Sequence, residues 1–191
     1  MDATGRLVDE LRTHALVLGE VVLTSGRTAD YYVDAKRAIL LAPGFAALAE
    51  LVARQARLWG ATAVGGLTMG ADPVACAALA GGWEGKAFFV RKEAKAHGLS
   101  RRIEGPELTP DDRCVVLEDV VSTGGSTVKA IAALQDEGHH VVGVISVLDR
   151  LTGGAEAIAA AAPGAQYVAL TTIDDVHPER SDRCQTPRAP S

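Results

Sequence analysis

The chain reads as an α/β protein with a mostly parallel central sheet, flanking helices and a small N-terminal hood. Three observations predict it. Short apolar runs such as Val115, Val116 and Leu117 have the unbroken hydrophobicity of strands buried on both faces. Longer segments between them carry apolar residues at helical spacing. Turns rich in Gly, Ser and Thr follow the apolar runs directly, as they do where the strands of an open sheet hand over to helices.

Composition narrows the class. The 191 residues suit one domain with a sizeable core. We expect that domain over residues 1–173, with helix and hood in 1–40 and core in 41–173. A polar tail containing Pro178, Pro187 and Pro190 would fill 174–191. A 48% hydrophobic, 23% charged composition is that of an ordinary soluble globular protein. The net charge of −5 argues against a nucleic-acid partner. No apolar run is long enough to span a bilayer and no signal-peptide layout opens the chain, so we expect no membrane partner and a cytoplasmic location. Cys76, Cys114 and Cys184 are far apart without metal-ligand spacing, which fits reduced thiols.

In chain order, Leu7, Leu11, Ala15 and Leu18 predict an amphipathic helix over residues 6–18, with Gly19 as its stop. Two short strands, 21–23 and 31–33, flank Ser25, Gly26 and Arg27 as a hairpin, the expected hood. Pro43 and Gly44 open a helix with Phe45, Leu48, Val52, Ala56 and Trp59 on one face and an expected Glu50–Arg54 pair on the other. Ala63–Leu67 should be the first central strand. The turn Thr68, Met69, Gly70, Ala71 offers backbone amides for an anion, and Asp72 before Pro73 suits an N-cap. After a strand at 87–90 comes RKEAKAHGLSRR, in which Arg91, Lys92, Lys95, Arg101 and Arg102 face a single acid, Glu93. A basic segment at a strand end, containing Gly98, suits a mobile lid that closes on an anion.

The stretch VVLEDVVSTGGST carries the most chemistry. Glu118 and Asp119 stand where the apolar strand should leave the sheet, followed by Val120 and Val121. Ser122, Thr123, Gly124, Gly125 and Ser126 then form a turn into a helix ending near Gly138. Free backbone N–H groups and hydroxyls in such a turn suit a phosphate. The two acids need a different partner, and sugar hydroxyls or a metal ion would serve. Without a Lys the turn is not a nucleotide P-loop, and its adjacent glycines are not the dinucleotide fingerprint. A strand over 141–148 ends in Asp149 and Arg150, whose planar fork matches a carboxylate. A helix at 153–162 and an edge strand at 167–170 complete the pattern.

These residues resemble those of the type I phosphoribosyltransferases, whose phosphoribosyl pyrophosphate (PRPP) motif is an apolar strand, two acids and a Thr/Ser/Gly loop. Within that group the chain is similar to the orotate phosphoribosyltransferases. The similarity rests on TSGRTADYYVD near the N-terminus, R-K-E-x-K-x-H-G at Arg91, Lys92, Lys95 and His97, and L-D-R at Arg150. The resemblance implies a type I phosphoribosyltransferase fold and the transfer of a phosphoribosyl group from PRPP to orotate. It implies that Glu118 and Asp119 meet the ribose hydroxyls, with Asp119, Lys95 and His97 as the catalytic residues. Arg91, Lys92, Lys95 and His97 would bind PRPP, together with Val120, Val121, Ser122, Thr123, Gly124, Gly125 and Ser126. Ser122 and Arg150 would hold orotate. His97 or Lys95 would donate a proton to pyrophosphate, and both remain open. Mg²⁺ would bridge pyrophosphate and ribose oxygens, with no metal site built from side chains alone. The lid would reach a neighbouring subunit's site, implying a homodimer, and Tyr31 and Tyr32 would belong to the hood that closes over the base. The chain departs from many relatives at Thr24 and Met69, where they carry Lys, so greater dependence on Mg²⁺ and lid closure is expected. A phosphoribosyltransferase for another base and a PRPP-binding regulator without catalysis are the competing readings.

Overall fold

The computed structural model describes residues 1–22, 28–93 and 102–180. Helix α1 (Ala3–Glu10) is capped by the Asp2 carboxylate, which accepts from the Gly5 N–H at 2.8 Å. A π-helical turn (Leu11–Ala15) follows and hands over to β1 (Leu16–Val22). The helical periodicity therefore ends earlier than residue 18. Leu7, Leu11 and Ala15 are buried as expected, but Leu18 lies on β1, paired with Tyr31 and 65% exposed. Gly19 does not stop a helix. It sits at the register shift between Leu18 and Val21 with φ 121°.

β1 pairs antiparallel with β2 (Thr28–Val33) as a separate two-stranded sheet, the expected hood. A short helix α2 (Lys36–Ile39) leads to α3 (Ala42–Leu58), with Pro43 in its first turn. Glu50 pairs with Arg6 of α1 at 2.8 Å instead of with Arg54, tying the first helix to the third. The main sheet follows with β3 (Ala63–Leu67), α4 (Asp72–Ala80), β4 (Lys86–Val90) and the two-residue β5 (Ile103–Glu104). Then come β6 (Arg113–Val121), α5 (Gly125–Asp136), β7 (His140–Asp149), α6 (Gly154–Ala161), β8 (Gln166–Thr172) and a last turn of helix, α7 (Ile173–Val176).

The six strands lie in the order β5-β4-β3-β6-β7-β8, all parallel except β5. Their apolar runs are buried on both faces because helices cover both. One core joins α1, α3 and α4 to Val115, Leu117 and Ile145. The other joins Ala130, Ile131, Leu134 and Ile158 of α5 and α6 to Cys114, Val116 and Val144. From β3 the chain first adds β4 on one side, then returns to lay β6 on the other. That reversal opens a crevice at the strands' carboxyl ends, where open α/β sheets bind ligands.

The C-terminal segment also differs from its composition. At Asp174, where a loose tail is expected, the chain is inside α7, with Ile173 and Val176 buried. A capping box formed by Thr172 and Asp175 starts this turn. No helix is long and apolar enough to cross a membrane among the described residues.

Candidate active site

β6 is longer than the apolar run suggests. Glu118, Val120 and Val121 still pair with β7, opposite Ser146, Leu148 and Asp149. β3 stops pairing with β6 at Gly65 opposite Val116, so β6 projects past it into the crevice. Successive strand side chains point to opposite faces, and the two acids separate accordingly. Glu118 turns toward α5, where Thr127 Oγ1 donates to its Oε2 at 3.2 Å. Asp119 turns the other way, where Lys36 Nζ donates to its Oδ2 at 3.0 Å and the Val120 N–H to its Oδ1 at 2.9 Å.

Both carboxyls are buried, Glu118 at 4% and Asp119 at 8% exposure, so their charges are poorly solvated. Burial, reinforced by the neighbouring Asp119, pushes the Glu118 carboxyl well above the usual carboxylate range. Burial alone would lower the Lys36 ammonium, but its bonds and charge attraction to Asp34 and Asp119 outweigh that and hold it above the usual lysine value. Sequence reading missed Lys36. The only local signal was a cation two residues after Asp34, which follows the strand, while its second partner lies 83 positions away.

A cavity of about 280 Å³ opens beside Glu118, lined also by Val120, Val121, Ser122, Thr123, Gly124, Gly125, Ser126, Thr127 and Lys129. The predicted phosphate loop is therefore its wall. Gly124 is the N-cap of α5 at φ 79°, with no side chain capping the helix and no acid in the first turn. The first-turn N–H groups and the positive end of the helix dipole thus face the cavity. A Cβ at Gly124 would lie 2.9 Å from the Gly154 carbonyl oxygen, which is why this tight turn needs glycine. Ser122 Oγ lies 3.2 Å from Thr152 Oγ1 on the loop after Arg150. A larger cavity of about 620 Å³, lined by Ile103, Pro106, Leu108 and His139 among others, contains none of the predicted site side chains.

The loop after β3 closes over Asp119. The Thr68–Met69 peptide is cis, Met69 is 74% exposed, and Gly70 lies so near that a Cβ there would sit 2.3 Å from Asp119 Oδ1. Asp72 is the first residue of α4 and makes no cap bond, contrary to the N-cap expectation; Ala71 takes that position. Its Oδ1 is buried without a hydrogen-bond partner among the described residues, and burial raises its pKa.

Arg150 follows β7 and lies next to the end of β6. Its backbone N–H donates to the Val121 carbonyl at 2.8 Å, which joins the end of β7 to the start of the phosphate loop. Asp149 beneath it accepts from the Tyr167 hydroxyl and the Leu151 N–H, both at 2.7 Å. The Arg150 guanidinium lies over the Tyr31 ring, 5.0 Å from its centroid. Of the hood aromatics, Tyr31 is buried beneath Arg150 and only Tyr32, 41% exposed, offers a face to a ligand.

Arg91 and Lys92 leave the end of β4, both exposed, with Arg91 Nη1 3.5 Å from Glu104 Oε1. Arg102 donates to the carbonyls of Arg91 and Lys92 and fastens the two ends of the basic segment. Lys95 and His97 lie outside the described residues, as does Thr24. The two acids, the uncapped start of α5 and Arg150 thus all lie at the carboxyl ends of β6 and β7.

Comparison with known proteins points to one family. No family model matches the chain. It is 46% identical over 177 residues to the orotate phosphoribosyltransferase of Corynebacterium glutamicum (strain R), covering 92% of this chain and 95% of that one. The crystal structure of Mycobacterium tuberculosis H37Rv orotate phosphoribosyltransferase in complex with Fe(III) dicitrate superposes with a TM-score of 0.82 at 45% identity, over 92% of this chain and 99% of that one. The same enzyme in complex with PRPP gives a TM-score of 0.77 at 39% identity, over 91% and 98%. At this identity, over nearly the whole of each chain, the chain belongs to the orotate phosphoribosyltransferase family.

Proposed function

We propose that this enzyme transfers the phosphoribosyl group of PRPP to orotate, forming orotidine 5′-monophosphate and pyrophosphate in pyrimidine (UMP) synthesis. The observation that carries the reading is the gathering of Glu118, Asp119, the uncapped start of α5 and Arg150 at the carboxyl ends of β6 and β7. In the reaction the bond from ribose C1 to pyrophosphate breaks, its electron pair leaves on pyrophosphate, and a ring nitrogen of orotate bonds to C1. Positive charge develops on the ribose. Asp119, kept in place by Lys36, and Glu118 take the ribose hydroxyls, while the amides of Ser122, Thr123, Gly124, Gly125 and Ser126 hold the 5′-phosphate. Arg91 and Lys92, with Lys95 and His97 of the lid, balance the departing pyrophosphate. Arg150 grips the orotate carboxylate, with Ser122 beside it.

Among the described residues no three His, Cys, Asp or Glu side chains cluster to hold a metal by themselves. Glu118 lines the cavity and would stand beside a Mg²⁺ held mainly by substrate oxygens. Bound Mg²⁺ supplies charge neutralisation and a template for the pyrophosphate. Lys36 restores one cation near a site that lacks lysine at Met69, so Met69→Lys should lower the Mg²⁺ requirement only modestly. The protein works as a cytoplasmic homodimer whose lids cross between subunits, a reading supported by the basic segment and by the free thiols Cys76 and Cys114.

Loss of orotate absorbance with PRPP and Mg²⁺ tests the reaction. Turnover should fall about a hundredfold or more in Lys95→Ala. Mixing Lys95→Ala with Arg150→Gln should restore part of it if sites are shared. Bound PRPP without orotate turnover would instead favour another base or a regulator.

A further inference from the structure

We infer that His177, from the C-terminal segment, is a positioning residue for the base site that acts through Tyr31 on Arg150. The inference rests on the reading that Arg150 grips the carboxylate of orotate. Arg150 has no ion pair among the described residues, and its Nε is buried without a hydrogen-bond partner. A guanidinium on a long stem needs some other support to keep a fork in one plane. The ring of Tyr31, 5.0 Å from its centroid, supplies it. Tyr31 is 2% exposed and belongs to the hood strand β2, not to the sheet that carries Arg150. The His177 ring meets the Tyr31 ring edge to face, with centroids 5.3 Å apart and planes at 78°. Imidazole, phenol and guanidinium thus form one stack drawn from the C-terminal segment, the hood and the core.

The segment is built to hold that stack. The His177 N–H donates to the Ile173 carbonyl at 2.7 Å, and the capping box of Thr172 and Asp175 fixes the start of α7. Ile173 and Val176 are buried, and Arg12 donates to the Asp175 carbonyl at 2.8 Å from the turn after α1. Arg180 pairs with Asp174 beyond it. His177 is therefore anchored from several directions. A two-pronged grip on a carboxylate depends on the angle of the fork, which small displacements spoil. Removing the edge-on ring leaves Tyr31 room to tilt and the guanidinium plane follows.

The test is the steady-state kinetics of His177→Ala, His177→Phe and His177→Gln beside Arg150→Gln, with thermal stability measured on each. The expected result is an orotate KM raised about three- to tenfold in His177→Ala and His177→Gln. The PRPP KM should stay within about twofold, and His177→Phe, which keeps an aromatic edge, should return the orotate KM close to wild type. If Arg150→Gln raises the orotate KM strongly but the His177 variants do not, the positioning role is overturned and the Arg150 reading survives. If Arg150→Gln leaves the orotate KM unchanged, that reading fails and takes the inference with it. Equal rises in both KM values, or lost stability that Phe does not rescue, would mark a merely structural role and overturn the inference. Should His177→Ala not fold, the Phe and Gln variants alone carry the comparison.

Discussion

At Asp119 the two carboxylate oxygens are already committed, Oδ1 to the Val120 N–H and Oδ2 to Lys36, and Gly70 presses against them from the loop above. On the proposed reading, the side chain is thus set before a ribose hydroxyl arrives, which is how a site avoids reorganising during reaction. Gly70→Ala would place a methyl group 2.3 Å from Oδ1, and either the carboxylate or the loop must move. We expect the PRPP KM to rise roughly tenfold, with a loss of stability of about 1–3 kcal/mol. PRPP titration and thermal melting check this, and an unchanged PRPP KM would show that the loop yields instead of Asp119. Glu118 and Asp119 were readable from sequence because they are adjacent and joined to the loop they serve. Lys36 and His177 were not, because their partners are brought to them by folding.

Where whole elements are concerned, period-based reading succeeded for the buried strands and for α3 and α5, whose apolar faces run long enough to define one geometry. It overran at residues 6–18. Leu7, Leu11 and Ala15 keep helical spacing through the π turn, and the next apolar residues, Leu16, Val17 and Leu18, fit strand and helix equally until β2 supplies a pairing edge. The end of the basic segment is another feature made by pairing. Arg102 bonds to the carbonyls of Arg91 and Lys92 at 3.1–3.3 Å, and its own N–H donates to Glu137 of the turn after α5 at 3.0 Å. Arg102→Ala should unfasten the base of this segment. We expect kcat to fall about three- to tenfold, with each lost bond worth about 1 kcal/mol, and the melting temperature to change little. Single-turnover kinetics with PRPP would separate this from weaker binding, and an unaltered kcat would mean that the fastening plays no part in closure.

Considered as a whole, the molecule divides its labour between the two ends of the sheet. Chemistry gathers at the carboxyl ends, while the amino ends are locked by Asp112. This buried carboxylate accepts from Lys86 at 2.7 Å, from Thr62 at 2.8 Å, and from the Thr109 N–H and hydroxyl at 2.7 and 3.1 Å. Burial alone would raise its pKa, but those bonds together win and hold it well below the usual carboxylate range. A depressed folded-state pKa contributes stability that is complete above the unfolded value, about 4, and is lost as pH falls through the folded value. Asp112→Asn should therefore cost about 1–3 kcal/mol near neutral pH, and the difference from wild type should shrink steadily in acid. Urea unfolding across pH 2–7 checks it, while kcat should be unchanged because the network is remote from the site. A constant gap at all pH values would contradict the assignment.

The linear order of residues settled the buried parallel strands, most helices, the Gly/Ser/Thr turn with its paired acids, and the Arg at the end of β7. Those features depend on neighbours in the chain: apolar spacing, turn chemistry and adjacency. What folding alone decided is which distant groups meet. It set Lys36 on Asp119, Thr127 on Glu118, and His177 and Tyr31 under Arg150. The reason is that strand alternation sends adjacent acids to opposite faces, and the reversal of strand order between β3 and β6 determines which elements wait on each face.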